Sequence, residues 1–222
     1  MHAAPFVTVH RLVASRFPPV GLFDRVADKA EFELLAELES RTNDRLHEPP
    51  RAELIADGDW RFGIGWTPVM AAFCHPNPEG SRFSDGQFGV YYAAAEIDTA
   101  ISETIHHRVR FLRATAEPAC FVDMRCYVGE LQMPLHDGLV PTLPADIMDP
   151  DDYQPAQALA RQLRAAGSWG LSYHSVRHPG GRSVALFRPP AISPVRQSGH
   201  YRYEYDGQRV VSVLRMELVR QG

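Results

Sequence analysis

The sequence predicts an α+β fold: a few helices beside a set of strands concentrated after residue 80. Three features carry this reading. The run Phe88 to Ala94 (FGVYYAA) is apolar and β-rich, as a central strand requires, and the segment after it changes to helical spacing, with Ile97, Ala100, Ile101 and Ile105 aligned. Strand-like segments then dominate the C-terminal part. The chain closes on Asp206-Gly207 between YRYEY and RVVSVLRMELV, the signature of a hairpin.

Taken in order, Phe6 to Val13 reads as a strand entering the core, and Pro18-Pro19 ends it. Asp24 to Leu46 is predicted helical, with Phe32, Leu35 and Leu38 on one face and acids along the other, until Pro49-Pro50 breaks it. A short helix is predicted to start at Thr67, read as its N-cap with Pro68 in the first helical position, and to finish before Pro76. After the helix Ile97 to Arg113, the alternation of Ala119 to Met133 predicts strands. Tyr153 to Ala166 is predicted helical, with Pro155 in its first turn and Gly167 just past its end. Trp169 to Arg177 and Ser183 to Phe187 read as strands.

The chain has 222 residues, a formal charge of −4 and 45% hydrophobic residues, which fits a single globular domain. No apolar run approaches the roughly 20 residues of a bilayer span, and MHAAPFVTVHRLV lacks the basic and apolar regions of a signal peptide, so a cytoplasmic protein without a membrane partner is expected. Cys74, Cys120 and Cys126 contain no C-x-x-C pair, which speaks against a disulfide framework or a zinc knuckle. Lys29 is the only lysine and is flanked by Asp28 and Ala30, which excludes a G-K-[ST] phosphate loop. Asp24 through Asp59 carries eleven acidic and five basic residues. A largely helical, acidic insertion over roughly 16–80 is therefore expected within one domain spanning 1–222. No basic stripe suggests direct contact with nucleic acid.

Several motifs fail on inspection. His174 and His178 have zincin spacing, but HSVRH carries no glutamate beside its first histidine and Pro179-Gly180-Gly181 follows, so no metal is expected. Gly170-Leu-Ser172-Tyr-His174 lacks the second glycine of a nucleophile elbow, and Gly63-Ile-Gly65 lacks the third glycine of a dinucleotide fingerprint. His106-His107 reads as a solvated or satisfied pair on a helix. What remains is a set of polar residues where a core would not choose them: Arg11 in the first strand, Arg82 opening the loop RFSDGQFG, Tyr92 in the apolar strand, Glu103 in the next helix, and Ser175 and Arg177 in a segment otherwise fit for burial. Converging on one cleft, they would supply charge anchors, a stacking face and a carboxylate. Singly, each has a structural reading as good: Arg11 with Glu103 as a buried ion pair, Tyr92 as a core aromatic, Ser175 as a strand hydroxyl.

The order of these residues resembles the RES family, named for arginine, glutamate and serine, which comprises toxins of bacterial RES–Xre toxin–antitoxin systems. RFSDGQFGVYYAAAEIDTAISE is similar to the family's arginine loop, strand tyrosine and helix glutamate, at Arg82, Tyr92 and Glu103. WGLSYHSVRHPGGRSVALFRP is similar to its G-x-x-Y-x-S-x-R segment, with the serine at Ser175, and HRL places a first arginine at Arg11. Ser84 and Asp85 stand where the family has asparagine and then proline or glycine. The resemblance implies an ADP-ribosyltransferase-like split sheet with flanking helices, and NAD as substrate. It implies cleavage of the nicotinamide–ribose bond with water or phosphate as acceptor, or transfer of ADP-ribose to a host protein. Glu103, Arg82, Tyr92 and Ser175 would be catalytic; Arg11, Arg82, Tyr92, Ser175 and Arg177 would bind NAD. An Xre-type helix-turn-helix antitoxin would be the partner, and DNA contact would belong to that antitoxin. A non-catalytic, antitoxin-binding module is the reading from another class.

Overall fold

The computed structural model describes residues 4–14, 24, 28–31, 52–217 and 219. The elements run β1 (Thr8–Ala14), α1 (Thr67–Cys74), β2 (Tyr91–Ala94), α2 (Ile97–Ala114), β3 (Cys120–Glu130), β4 (His136–Gly138), α3 (Gln154–Ala165), β5 (Gly170–His174), β6 (Arg182–Leu186), β7 (Arg196–Tyr205) and β8 (Val210–Met216), with 3-10 turns at Ala52–Leu54, Asp57–Asp59 and Pro189–Ala191. The fold is α+β, as the sequence predicts. Most of the helix predicted over Asp24 to Leu46 lies outside the described residues.

The eight strands form one sheet in the order β4-β5-β6-β2-β1-β3-β7-β8, antiparallel except for β4 against β5. Its middle is nearly unpaired. Strand β1 follows β3 along its whole length, from Thr8↔Glu130 to Ala14↔Met124, but meets β2 only at His10↔Ala94. Two half-sheets, β4-β5-β6-β2 and β1-β3-β7-β8, therefore hinge on a single residue pair. That junction is the split.

Side-chain alternation sends the two tyrosines of β2 to opposite faces. Tyr91 joins the core under α1, with Val69, Met70, Phe73, Val9, Val184 and Leu186. On the other face two helices lie side by side. Helix α3 buries Ala156 and Ala160 with Phe83, Leu171, Tyr173 and Ala185, and Tyr92 packs against this group. Helix α2 sets Ala100, Ile101 and Ile105 against Leu12, Met124, Cys126 and Tyr203 of the other half-sheet. Between α2 and α3, beneath the split, lies the ground where the polar residues meet.

Local differences from the sequence reading have identifiable causes. Strand β2 is shorter than Phe88 to Ala94 because its ladder partner runs out: β6 ends at Leu186 opposite Tyr91, and the 3-10 turn Pro189–Ala191 follows. Thr67 is not the N-cap of α1; Trp66 is, and the carboxylate of Asp24 takes up the Thr67 N–H (3.1 Å) and Oγ1–H (2.9 Å) at the helix start. Ala119 to Met133 supplies one long strand, β3. The short β4 has no counterpart in the sequence reading.

The segment from 52 to the start of β2 belongs to the core. Gly89 lies so close to α1 that a Cβ there would collide with the Phe73 Cα and the Ala72 carbonyl, both backbone. Gly89→Ala is expected to lower stability by at least about 2 kcal/mol in urea unfolding, since neither side can yield without moving α1. An unchanged midpoint would mean that α1 is not seated on this loop.

A candidate active site between the two helices beneath the split

The Arg82 loop is held from three sides. Ser81 and Ser84 exchange backbone bonds across a tight turn, and Gln157 of α3 donates to the carbonyls of both (3.0 and 3.2 Å). From below, the Tyr92 hydroxyl bonds with Ser81 Oγ at 2.8 Å and accepts the Phe83 N–H at 2.9 Å. Burial pushes the Tyr92 phenol up to about 12, so it remains protonated at neutral pH. The Ser84 hydroxyl donates to the Phe88 carbonyl and accepts the Gly86 N–H, while Asp85 points outward to Arg161. Arg82 itself is buried. Its Nη1 donates to the carbonyls of Asp149 (2.6 Å) and Ile147 (3.3 Å), and its guanidinium lies over the Tyr153 ring. Both bonds use one nitrogen, and among the described residues Nε and Nη2 have no hydrogen-bond partner, so they can serve a ligand.

Glu103 belongs to a polar stripe on α2. Glu96, Thr99 and Glu103 recur at helical spacing on one face, and each is tied to the β5–β6 region. Glu96 receives Arg182 through its backbone N–H and its guanidinium, Thr99 bonds His178 Nδ1 at 2.8 Å, and Glu103 Oε1 accepts the Ser175 hydroxyl at 2.6 Å. Ser175 was expected within a strand, yet β5 stops at His174. The serine hydroxyl accepts the N–H groups of Arg177 (3.1 Å) and His178 (3.1 Å), and its own N–H reaches the Gly181 carbonyl, so the chain turns there. Among the described residues Glu103 Oε2 has no hydrogen-bond partner. The carboxylate is thus fixed at one oxygen and open at the other.

Tyr173 belongs to the buried cluster against which Tyr92 packs. Its phenol is pushed well above its ordinary range, first by burial, then by the charges of Glu103 and Tyr92, with Arg82 opposing. Arg177 closes the rim by donating to the Pro150 carbonyl at 2.7 Å, so Arg82 and Arg177 grip the same 147–150 segment. His106, one turn beyond Glu103, is pushed down by burial and by Arg177 and Arg110.

Arg11 stands apart. It lies over the Tyr91 ring, on the α1 side of the sheet, and its Nη1 donates to the Tyr92 carbonyl at 2.9 Å where β1–β2 pairing has ceased. Its Nε is buried without a partner. It makes no ion pair with Glu103 among the described residues, and it joins the site through the backbone of β2. The sequence reading set His106 aside as a solvated or satisfied histidine, and it gave Tyr173 and Tyr153 no site role; Tyr173 was findable as the tyrosine of the G-x-x-Y-x-S-x-R segment, whereas Tyr153 carried no signal.

Tyr92→Phe removes the acceptor of the Phe83 N–H, a group buried with its residue. The expected cost is about 1–3 kcal/mol in chemical unfolding. Faster hydrogen exchange at 81–84 should accompany it, and unchanged exchange there would contradict the anchoring role.

Three comparisons with known proteins bear on the family of the chain. A protein of Sinorhizobium fredii, y4oC, itself uncharacterised, is 30% identical over 203 residues, covering 90% of this chain and 84% of the relative. A solved structure described as the M. tuberculosis MbcT–MbcA toxin–antitoxin complex is similar at a TM-score of 0.45 and 10% identity, over 94% of this chain and 83% of that one. The family model for the RES domain matches residues 51–206, a stretch that begins ahead of α1 and holds Arg82, Tyr92, Glu103, Ser175 and Arg177 but not Arg11. On that match, the chain belongs to the RES domain family.

Proposed function

We propose that the protein is the toxin of a bacterial toxin–antitoxin system and consumes NAD by cleaving its nicotinamide–ribose bond, with water or phosphate as acceptor. The observation that carries this reading is Glu103: a carboxylate held at one oxygen by the Ser175 hydroxyl, with no hydrogen-bond partner at the other among the described residues. Membership of the RES family supports the toxin assignment, since these toxins are NAD-related enzymes as a class.

In this reading the C1′–N bond breaks with its electron pair leaving on nicotinamide, and positive charge develops on the ribose. A fixed carboxylate beside C1′ lowers that barrier. Oε2 of Glu103 supplies the charge, and Ser175 is a positioning residue that keeps it aimed. Tyr92 offers its ring to the departing nicotinamide. The diphosphate lies against Nε and Nη2 of Arg82, with Arg177 contributing charge, while Arg11 acts indirectly by holding the Tyr92 carbonyl; planar guanidinium forks suit phosphate oxygens. Water or phosphate then adds at C1′; water gives up a proton, yielding ADP-ribose, and phosphate yields its 1-phosphate ester. An unrestrained enzyme of this kind would drain its own cell. The reading therefore includes an antitoxin of the Xre helix-turn-helix type seated over the cleft.

Incubating the purified, antitoxin-free chain with labelled NAD tests the reaction. Nicotinamide should appear together with ADP-ribose or its phosphate ester, whereas label on protein would identify a protein acceptor. Glu103→Gln should slow nicotinamide release by about 10²–10³-fold. Wild-type release by that variant would remove Glu103 from the chemistry.

A further inference from the structure

A cavity of about 560 Å³ opens beside the Asp85–Gly89 part of the Arg82 loop. Residues 54–59, the loop Asp85–Gly89, the end of α3 and Phe187–Pro189 enclose it, and none of Arg11, Arg82, Tyr92, Glu103, Ser175 or Arg177 lines it. The volume falls within the usual range of small-molecule sites. Ile55, Phe73, Phe88 and Phe187 give it an apolar wall.

The charges at its mouth do not cancel. Among the described residues that line it, Arg161, Arg164 and Arg188 face two carboxylates, Asp59 and Asp85. Asp59 is buried and takes Arg188 through two bonds of 2.7 Å each, so both are committed. Asp85 receives Arg161 at 2.8 Å, but that arginine is 53% exposed, and a pair at such a rim holds its partners weakly. Arg164 has neither a salt bridge nor a hydrogen bond among the described residues, although Asp85 and Asp59 are close enough to act on its charge; its guanidinium carbon lies over Phe88, 4.1 Å from the ring centroid. Its N–H donors therefore have no acceptor among the described residues and can serve a ligand.

We infer that this cavity is a binding site for a phosphate monoester carried on a planar, apolar body. Arg164 takes the phosphate through its N–H donors. Arg161 leaves Asp85 to take a second pair of oxygens, and the planar body lies along the Ile55–Phe187 wall. A single carboxylate would be satisfied by one guanidinium and would only duplicate Asp85; the dianion uses both.

Adenosine 5′-monophosphate is a suitable probe, with adenosine and inorganic phosphate as controls, in calorimetric titration of the full chain. AMP should bind saturably and more tightly than either control. Arg164→Gln, which keeps the aliphatic stem over Phe88, should weaken AMP about tenfold or more, and nicotinamide release from NAD should remain at its wild-type rate. If circular dichroism shows that variant unfolded, Arg161→Ala, at an exposed position, decides with a loss of at least about threefold. No saturation up to about 1 mM AMP, affinity unchanged in the folded variant, or equally tight binding of adenosine or phosphate alone would each overturn the assignment. AMP displaced by NAD with no effect of Arg164→Gln would locate it in the Glu103 site, also against the inference.

Discussion

The hydrogen bond between Ser175 and Glu103 reaches across the weakest line in the sheet. Helix α2 packs under the β1-β3-β7-β8 half, whereas Ser175 ends β5 in the other half, and the halves share only the pair His10↔Ala94. A sheet so nearly divided cannot hold a carboxylate still through its ladder. The polar stripe on α2 does it instead: Glu96 on Arg182, Thr99 on His178 and Glu103 on Ser175 fasten three points of one helix face to the β5–β6 region. Arg11 does a similar service on the opposite face, capping the Tyr92 carbonyl that a continued β1–β2 ladder would have paired.

Where the β1–β2 ladder is limited to one pair, side chains take over the holding of the site. Each polar group there is anchored at one atom and open at another. Glu103 is held at Oε1, Arg82 at Nη1, and the Tyr92 hydroxyl is occupied while its ring is not required for that bond. Preorganisation of this kind stabilises charge that develops during reaction without the cost of reorienting dipoles at that moment.

The sequence disclosed the fold class, the helices beginning near Thr67, Ile97 and Tyr153, and the C-terminal hairpin, because periodicity and proline or glycine punctuation are local signals. Its errors were non-local. Nothing near Thr67 announces that Asp24 supplies the cap, and the end of β2 depends on where β6 stops. Ser175 looked like a strand residue because its neighbours are apolar; its hydroxyl bonds to Arg177 and His178 make the turn, and composition does not reveal them. The site residues were legible as an ordered set through the family resemblance. Their separation by face was not: adjacent residues Tyr91 and Tyr92 point oppositely, and Arg11 follows the former. The stripe Glu96, Thr99, Glu103 was present in the spacing and went unread.

The most direct test of the account is a crystal structure of the Glu103→Gln variant with NAD bound. The account predicts the ribose C1′ within about 3.5 Å of the side chain at position 103, the diphosphate on Arg82, and the nicotinamide ring against Tyr92. NAD bound elsewhere, or lying in the cleft with its ribose turned away from position 103, would contradict it.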